Sequence, residues 1–565
     1  MQELPLGVSD FKTLIDYKNP ITGEGYLFVD KTLLIKEILG DGTQAIILTR
    51  PRRFGKTLNL SMLQYFFAAE FAGESTKELF NGLKIAQDLI CMQLQGQDPV
   101  VFISFKDIKQ PNLQLCIEKI ASIIAGAYRQ HRKELESVLT SEDDKAYVTA
   151  ILDEKISPVR LESSIKRLLE LLFKYYNAKP ILLIDEYDTP IQEAYLHGYY
   201  EQLMPFFRNF LSEPLKDDNL LKRAVLTGIL RVSKESFFSG LNNVKVYSVL
   251  NKKYSNYFGF TEQETNELLA ISKLPADLAK TKEWYNGYNF SGTIIYNPYS
   301  VISFIKEEGK IFPYWINTSG NELIRQLLTT SELATQDKIG QLIKGETIKE
   351  IVDEHIVFQD LKENRAAIWG LFFMSGYLKV LSSEFAEYGN ICELAIPNKE
   401  VEFLYKQVFR EWLSGNRGII WYQELLAALT FGKVEEFERK LQNAIVEMTS
   451  FHDTSKTKQE VFYQGLMLGI LSGLKDNYEI RSNRESGYGR YDLLIIPKDL
   501  NKLGIVMEFK AINHDNDVNL REAAKEALLQ IKTSEYITEL TARGINNVCL
   551  MGIAFSGKSI KIISE

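Results

Sequence analysis

Two groups of residues in this 565-residue chain have the types and spacing that phosphate chemistry requires. The first is RPRRFGKT at positions 50–57, together with Asp185 and Glu186. The phosphate-loop pattern G-x-x-x-x-G-K-[ST] asks for glycine where Arg50 stands, yet its contact-making end, Gly55-Lys56-Thr57, is intact. Backbone N–H groups of Arg53, Phe54 and Gly55, with the positive end of a following helix, would hold a β-phosphate. Lys56 would reach the β/γ oxygens, and Thr57 would ligate Mg²⁺. Asp185 would hold the same ion, directly or through water. Glu186, pointing elsewhere because strand side chains alternate, would polarise an attacking water as general base. Thr227 and Arg231, in TGILRVSK, stand where a polar or cationic group senses a γ-phosphate, although Arg231 reads equally well as a solvated loop arginine. Arg50, Arg52 and Arg53 would either add positive charge around phosphate or pair with acidic neighbours in another domain.

The second group lies near the C-terminus. Asp492 sits in GRYDLLII, and EFK places Glu508 and Lys510 two apart on a strand, so their side chains share one face. Two carboxylates facing one point make a Mg²⁺ site, and a lysine beside them orients water and stabilises the charged transition state of phosphodiester hydrolysis. Glu460, on the preceding helix, would add a carboxylate, and Gln530, on the following helix, would reach the water or a phosphate. Arg481, Arg484 and Arg490 would meet a phosphate backbone or form surface ion pairs. D/E-x-K triplets also arise by chance on solvated strands. Here the order helix, strand, strand, helix around the triplet makes the arrangement specific.

The elements that must position these groups are legible as apolar periodicity. Residues 44–49 (QAIILT) read as a buried strand, and Leu58 to Ala69 has helical spacing, so the loop lies between strand and helix. Alternation of VVFISF, ILLIDE, AVLTGI and VKVYSV with longer helical patterns implies a mostly parallel sheet covered on both faces. VVFISF, between the loop and the acidic strand in sequence, suits the layout in which an extra strand separates the two. From 260 to 400 the pattern turns helical and irregular, with aromatic turns at WYNGYNF, YNPYS and YWINTSGN. Trp284 and Trp315 in those turns are expected to anchor loops onto a core rather than to stack bases. Beyond 400, a helix near Glu460 to Leu474 leads to strands at RYDLLII and LGIVMEF and a helix near Asn519 to Thr541. GIAFSGKS, Gly552 to Ser559, matches the phosphate-loop pattern letter by letter, but only IKIISE follows it, so it reads as a β-hairpin turn.

Composition is that of an ordinary globular protein, 45% hydrophobic and 25% charged, which excludes disorder and fibrous repeats. The length suggests about three to four domains. The net charge of −8 argues against a chain-wide nucleic-acid surface while leaving room for a local basic cleft. Four scattered cysteines and five separated histidines predict neither disulfides nor a zinc site, and a reducing cytoplasm fits. No secretory signal and no membrane-spanning run are present, and there is no G-x-S-x-G elbow.

Over nearly its full length, through LPLGVSDF, FVDKT, RPRRFGKT, ILLIDEYDTPI, TGILRVSKESFFSGLNN, GRYDLLI, EFK and ALLQI, the chain resembles the bacterial family that fuses an AAA-ATPase-like domain to a C-terminal PD-(D/E)XK nuclease superfamily domain. Arg-for-Gly at position 50 belongs to that family's own motif. The resemblance implies Lys56, Thr57, Asp185 and Glu186 for nucleotide and Mg²⁺, and Glu460, Asp492, Glu508 and Lys510 for the nuclease core. The expected fold class is α/β: a P-loop NTPase parallel sheet over 1–265, a helical, irregular middle module over 266–400, and a restriction-endonuclease-like α/β domain over 401–565. The expected function is an ATP-regulated, Mg²⁺-dependent nuclease acting on nucleic acid, DNA in preference to RNA, with no membrane partner and with oligomerisation open. The alternative is a nucleotide-dependent switch whose C-terminal domain binds nucleic acid or protein without cutting.

Overall fold

The computed structural model describes residues 2–565 apart from 69, 72, 217–218, 232–241, 275–277, 317, 319–321, 331–332, 355–357, 359–360, 362–363, 388, 415–416, 449–462, 464–465, 475–476, 487–488, 513–516 and 534–536. The chain divides into two compact units, Met1–Leu323 with Lys349–Val401, and Ile324–Ile348 with Glu402–Glu565.

The first unit is built on five parallel strands: β1 (Ala45–Thr49), β2 (Val100–Ser104), β3 (Ile181–Asp185), β4 (Arg223–Gly228) and β5 (Val244–Tyr247), in the spatial order β2-β3-β4-β1-β5. Every residue of β1 and β3 is buried, as expected for strands covered on both faces. One covering helix, Ser164–Tyr176, buries Ile165, Leu168, Leu169 and Leu172 at the three-and-four spacing of an apolar stripe. Another, Leu113–Gln130, starts where the Asn112 side chain accepts the Leu115 N–H at 3.0 Å. The strand order corrects one expectation. The strand between the phosphate-loop strand and the acidic strand is β4, which carries Thr227; VVFISF forms β2 at the sheet edge. Neighbours along the sequence need not be neighbours in a parallel sheet, because each crossover helix can carry the chain past a strand.

The stretch read as helical and irregular also holds two three-stranded sheets. One consists of β6 (Phe260–Thr261), β7 (Tyr288–Phe290) and β8 (Thr293–Tyr296). The other consists of β9 (Ile348–Val352), β10 (Lys379–Ala386) and β11 (Gly389–Ala395). Several of these strands are short, so no period-two signal could accumulate in them. Trp315 is buried and Trp284 packs against an apolar cluster containing Tyr285, Tyr296 and Phe304, as loop anchors do.

In the second unit a mixed sheet runs in sequence order through β12 (Tyr478–Ser486), β13 (Gly489–Pro497), β14 (Gly504–Ala511), β15 (Val548–Ser556) and β16 (Ser559–Ser564), with β14 and β15 parallel. Its two faces alternate as the pleat requires. Leu493, Ile495, Met507, Phe509 and Ile553 face a core with the helices Gly418–Thr430 and Val434–Met448. Leu494, Val506 and Leu550 face Leu528 and Ile531 of the helix Asp517–Thr533. The helix expected from Asn519 to Thr541 is thus two, Asp517–Thr533 and Thr538–Ala542. The full pattern match at Gly552 to Ser559 is the β15–β16 hairpin, its turn held by the Gln442 amide donating to the Lys558 carbonyl oxygen at 2.5 Å.

Candidate functional site

The loop at 50–55 leaves β1 and enters the helix Lys56–Phe67 through Gly55, whose φ of 82° few other residues adopt. The helix starts at Lys56 rather than Leu58, so the loop's last backbone N–H groups lie at its N-terminus, where anions are favoured. Lys56 is buried and its ammonium donates to the Arg50 and Pro51 carbonyl oxygens, 3.1 Å from each. Burial lowers its pKa, and the nearby carboxylates of Glu186, Asp185 and Asp188 oppose that shift.

Asp185, at the end of β3, is the hub. Its Oδ2 accepts the Thr57 hydroxyl at 2.8 Å and lies 3.4 Å from Ser104 Oγ, while its Oδ1 accepts the Thr227 hydroxyl at 2.6 Å. The candidate residues Thr57, Asp185 and Thr227 are therefore brought together. Burial raises the Asp185 pKa, with Glu186 adding to the rise and the Thr227 and Thr57 hydroxyls opposing it. A carboxylate flanked by hydroxyl oxygens is the hard-oxygen donor set that suits Mg²⁺. Glu186 follows with φ 51°, an unusual backbone state for this residue type, and its carboxylate accepts the Thr189 hydroxyl at 3.3 Å.

Two residues of the same segment carry structural work that their sequence did not disclose. The buried Asp188 carboxylate accepts the Ile229 and Leu230 N–H groups, 2.9 Å each, and the Gln192 amide at 2.8 Å. The Tyr187 hydroxyl donates to the Leu230 carbonyl oxygen at 2.5 Å. Together they fix the exit of β4, and hence Thr227. Four acidic or aromatic residues in a row at the end of a buried strand, Asp-Glu-Tyr-Asp, were the available signal. Arg231, just past that exit, is half-buried and is not among the residues lining the cavity described next.

A cavity of about 520 Å³ opens beside the loop. Arg52, Arg53, Lys56, Thr57 and Glu186 line one end; Leu4, Leu27, Phe260, Leu268 and Ile302 are among the apolar residues of the other. The three loop arginines take different paths. Arg50 points away from the cavity and is fully buried: its guanidinium donates to the Thr49 and Tyr247 carbonyl oxygens at 2.7 and 2.9 Å and lies over the rings of Phe258 and Phe290. It neither faces phosphate nor pairs with a described carboxylate, which corrects both expectations for it; burial alone lowers its pKa to about 9, leaving it charged at neutral pH. Arg52 donates to Gln192 at 3.1 Å, and Arg53 lies over the Tyr299 ring. The Phe54 side chain is buried against Tyr288 and Phe290, so only its backbone is available to a ligand.

Behind Phe54, the aromatic motifs of the middle module converge on Glu400. This buried carboxylate accepts the Trp315 N–H at 2.6 Å and the Ser300 hydroxyl at 2.9 Å. Burial outweighs those bonds and pushes its pKa up to about 8 from an ordinary 4.5. A raised value means that the stability it contributes is complete below about pH 4.5 and is lost as pH rises toward 8. Glu400→Gln is expected to lose that dependence: between pH 5 and 9 the unfolding free energy of the wild type, from denaturant titration, should fall relative to that of the variant by on the order of a few kcal/mol. Parallel curves for the two proteins would refute the assignment.

In the second unit, Asp492, Glu508 and Lys510 share the sheet face that carries Leu494 and Val506, the face under the helix Asp517–Thr533. Asp492 and Glu508 lie one step past the last paired position, Leu493↔Met507, on adjacent strands. There the Asp492 carboxylate accepts the Phe509 N–H at 2.8 Å, and Glu508 is buried while Asp492 and Lys510 are half-buried. Glu508 pairs in register with Gly552, over which the helix passes so closely that a Cβ would stand 2.1 Å from the Ala524 carbonyl oxygen. Gln530 is half-buried on that helix, beyond Leu528 and next to Ile531, which pack at the Val506 and Leu550 end of the strands. Lys510 is at the other end, level with Ala554, which packs with Leu520 and Ala523. Arg481 is ion-paired with Glu479 and Glu539. Glu460 and the side chains of Arg484 and Arg490 lie outside the described residues. Among the described residues there is no group of three or more His, Cys, Asp or Glu placed to hold a metal, and no helix is long and apolar enough to cross a membrane.

Comparison with known proteins agrees with this division. The family model for a predicted AAA-ATPase matches residues 5–238, and that for the PD-(D/E)XK nuclease superfamily matches residues 458–565. A protein of Azotobacter chroococcum mcd 1, described as "Uncharacterized protein in vnfD 5'region", is 24% identical over 571 residues, spanning 100% of this chain and 98% of its own. Among solved structures, the Drosophila ORC bound to AT-rich DNA and Cdc6 matches at 11% identity and a TM-score of 0.18, over 66% of this chain and 88% of that one, too low a score to bear on fold or partner.

Proposed function

We propose that this chain, in which an AAA-ATPase-like domain is followed by a PD-(D/E)XK nuclease superfamily domain, binds and hydrolyses ATP with Mg²⁺ and uses that cycle to control Mg²⁺-dependent cleavage of nucleic acid, DNA in preference to RNA. The observation that carries the nucleotide half is the Asp185 carboxylate held between the Thr57 and Thr227 hydroxyls, with Thr57 and Lys56 themselves lining the cavity.

In that site the N–H groups of Arg53 to Thr57 and the Lys56 ammonium bind and orient the phosphates. Asp185 and Thr57 are the residues that would hold Mg²⁺, which when bound neutralises phosphate charge. Glu186, at the cavity wall, receives the proton of the attacking water, a role unsuited to Asp185 because both its oxygens already accept hydroxyls. Thr227 reports the state of the Asp185 carboxylate to the end of β4. In the second site, Asp492 and Glu508 would hold Mg²⁺, Lys510 supplies positive charge beside the scissile phosphate, and Glu460 and Gln530 assist. The partition into ATPase residues 1–265, middle module 266–400 and nuclease residues 401–565 belongs to the same proposal.

The test is cleavage of plasmid, linear DNA and RNA with and without ATP and Mg²⁺. Lys510→Ala and Asp492→Ala are each expected to lower the Mg²⁺-dependent rate by about 100-fold or more, with ATP turnover retained. ATP turnover without cleavage of any of the three substrates would replace the nuclease by a non-cleaving switch.

A further inference from the structure

We infer that Lys106 and Lys109, on the loop that follows β2, are the cations that grip the terminal phosphate of a nucleoside triphosphate in the 520 Å³ cavity. This rests on the nucleotide reading of that cavity and adds to it a contact that distinguishes triphosphate from diphosphate.

Among the described residues the cavity is lined by six cationic side chains against three acidic ones, the balance that a polyanion requires. Four of the six are already placed. Lys31 is bound to Glu264 at 2.6 Å, Lys56 donates to the Arg50 and Pro51 carbonyl oxygens, Arg52 donates to Gln192, and Arg53 lies over Tyr299. Lys106 and Lys109 are exposed at the cavity wall, and among the described residues neither is paired with a carboxylate.

Their loop is fixed rather than loose. The Phe105 N–H donates to the Asp185 carbonyl oxygen at 3.0 Å, which ties the start of the loop to the carboxylate strand itself. Ile108 is fully buried and its N–H donates to the Phe105 carbonyl oxygen at 3.1 Å, so the two lysines project from a turn pinned between them. The Tyr199 hydroxyl holds the far end through the Gln110 carbonyl oxygen at 2.8 Å.

Sheet order sets the direction of approach. β2 adjoins β3 on the side opposite β4 and β1, with Ser104 level with Asp185. Lys56 therefore reaches the phosphates from the β1 side and the two lysines from the β2 side, with Asp185 and Glu186 between. Among the described residues at the β4 exit, Arg231 is not part of the cavity wall. Lysine suits this place: a compact charge on a long stem can follow a phosphate that is present in one state of a cycle and gone in the next.

The experiment compares binding of Mg–ADP and of a non-hydrolysable Mg–ATP analogue to the full chain at fixed ionic strength. For the Lys106→Gln, Lys109→Gln double variant, affinity for the triphosphate analogue is expected to fall about tenfold or more while that for ADP stays within about twofold; unchanged ADP binding also shows that the site is folded. A double variant with arginine at both positions should keep the preference for triphosphate. Unaltered affinity for both nucleotides, or equal loss of both, would overturn the inference while leaving the nucleotide reading intact. Wild-type protein that binds neither nucleotide would remove that reading itself.

Discussion

Lys56→Ala is expected to lower ATP turnover by about 100- to 1,000-fold and to weaken triphosphate binding without unfolding the protein. Two features of the loop set these opposite outcomes. The ammonium is buried, its desolvation lowers its own pKa, and it donates hydrogen bonds to the Arg50 and Pro51 carbonyl oxygens. A buried cation of this kind contributes little net stability, so its removal leaves the melting temperature near that of the wild type. The same ammonium is a buried positive charge close to Glu186, Asp185 and Asp188, whose carboxylates act on it in turn. Without it, phosphates would enter a region dominated by three acids. Lys56→Arg should not restore activity, because a planar guanidinium needs a wider slot than a point-like ammonium. Steady-state turnover and calorimetric melting on the same preparations check both halves. Turnover within a few-fold of the wild type would show that the cavity is not the hydrolytic site.

The second large effect runs against the motif. Arg50→Gly restores the glycine that the phosphate-loop pattern asks for, and it is expected to destabilise the first unit by about 3 kcal/mol. Arg50 fills space under the loop, satisfies the Thr49 and Tyr247 carbonyl oxygens, and lies over two phenylalanine rings. Glycine leaves a cavity there and loosens the backbone that β1 hands to Lys56. The charge itself is not what stabilises, since burial without a carboxylate depresses the guanidinium pKa. Arg50→Met, which keeps most of the volume and drops the charge, should therefore cost clearly less than Arg50→Gly in denaturant titrations. Equal stability of the glycine variant and the wild type would contradict this account.

Much of the architecture was readable from local pattern. Runs of four apolar residues, AIIL and ILLI, marked β1 and β3 because a strand covered on both faces has no polar positions to interrupt it before its functional end. The full pattern match at Gly552 forms a hairpin and not a phosphate loop, because Ser559–Ser564 continues as a strand paired with β15 instead of a helix whose N-terminus could meet phosphate. The sheet of β6, β7 and β8 was not readable, since strands of two to four residues carry too few alternations to stand out from aromatic turns.

What the chain determined by itself was the set of chemical groups and their local framing: Lys56 and Thr57 after a strand, Asp185 and Glu186 at a strand end, Glu508 and Lys510 on one strand face. These follow from spacing over a few residues, where backbone geometry is nearly invariant. Which strand lies between β1 and β3, which way each loop arginine points, and which lysines line the cavity were decided only in three dimensions. Those choices depend on contacts between residues far apart in the chain, such as Arg50 with Tyr247 or Asp188 with Leu230, and are settled by the competition for buried volume and hydrogen-bond partners rather than by any local period.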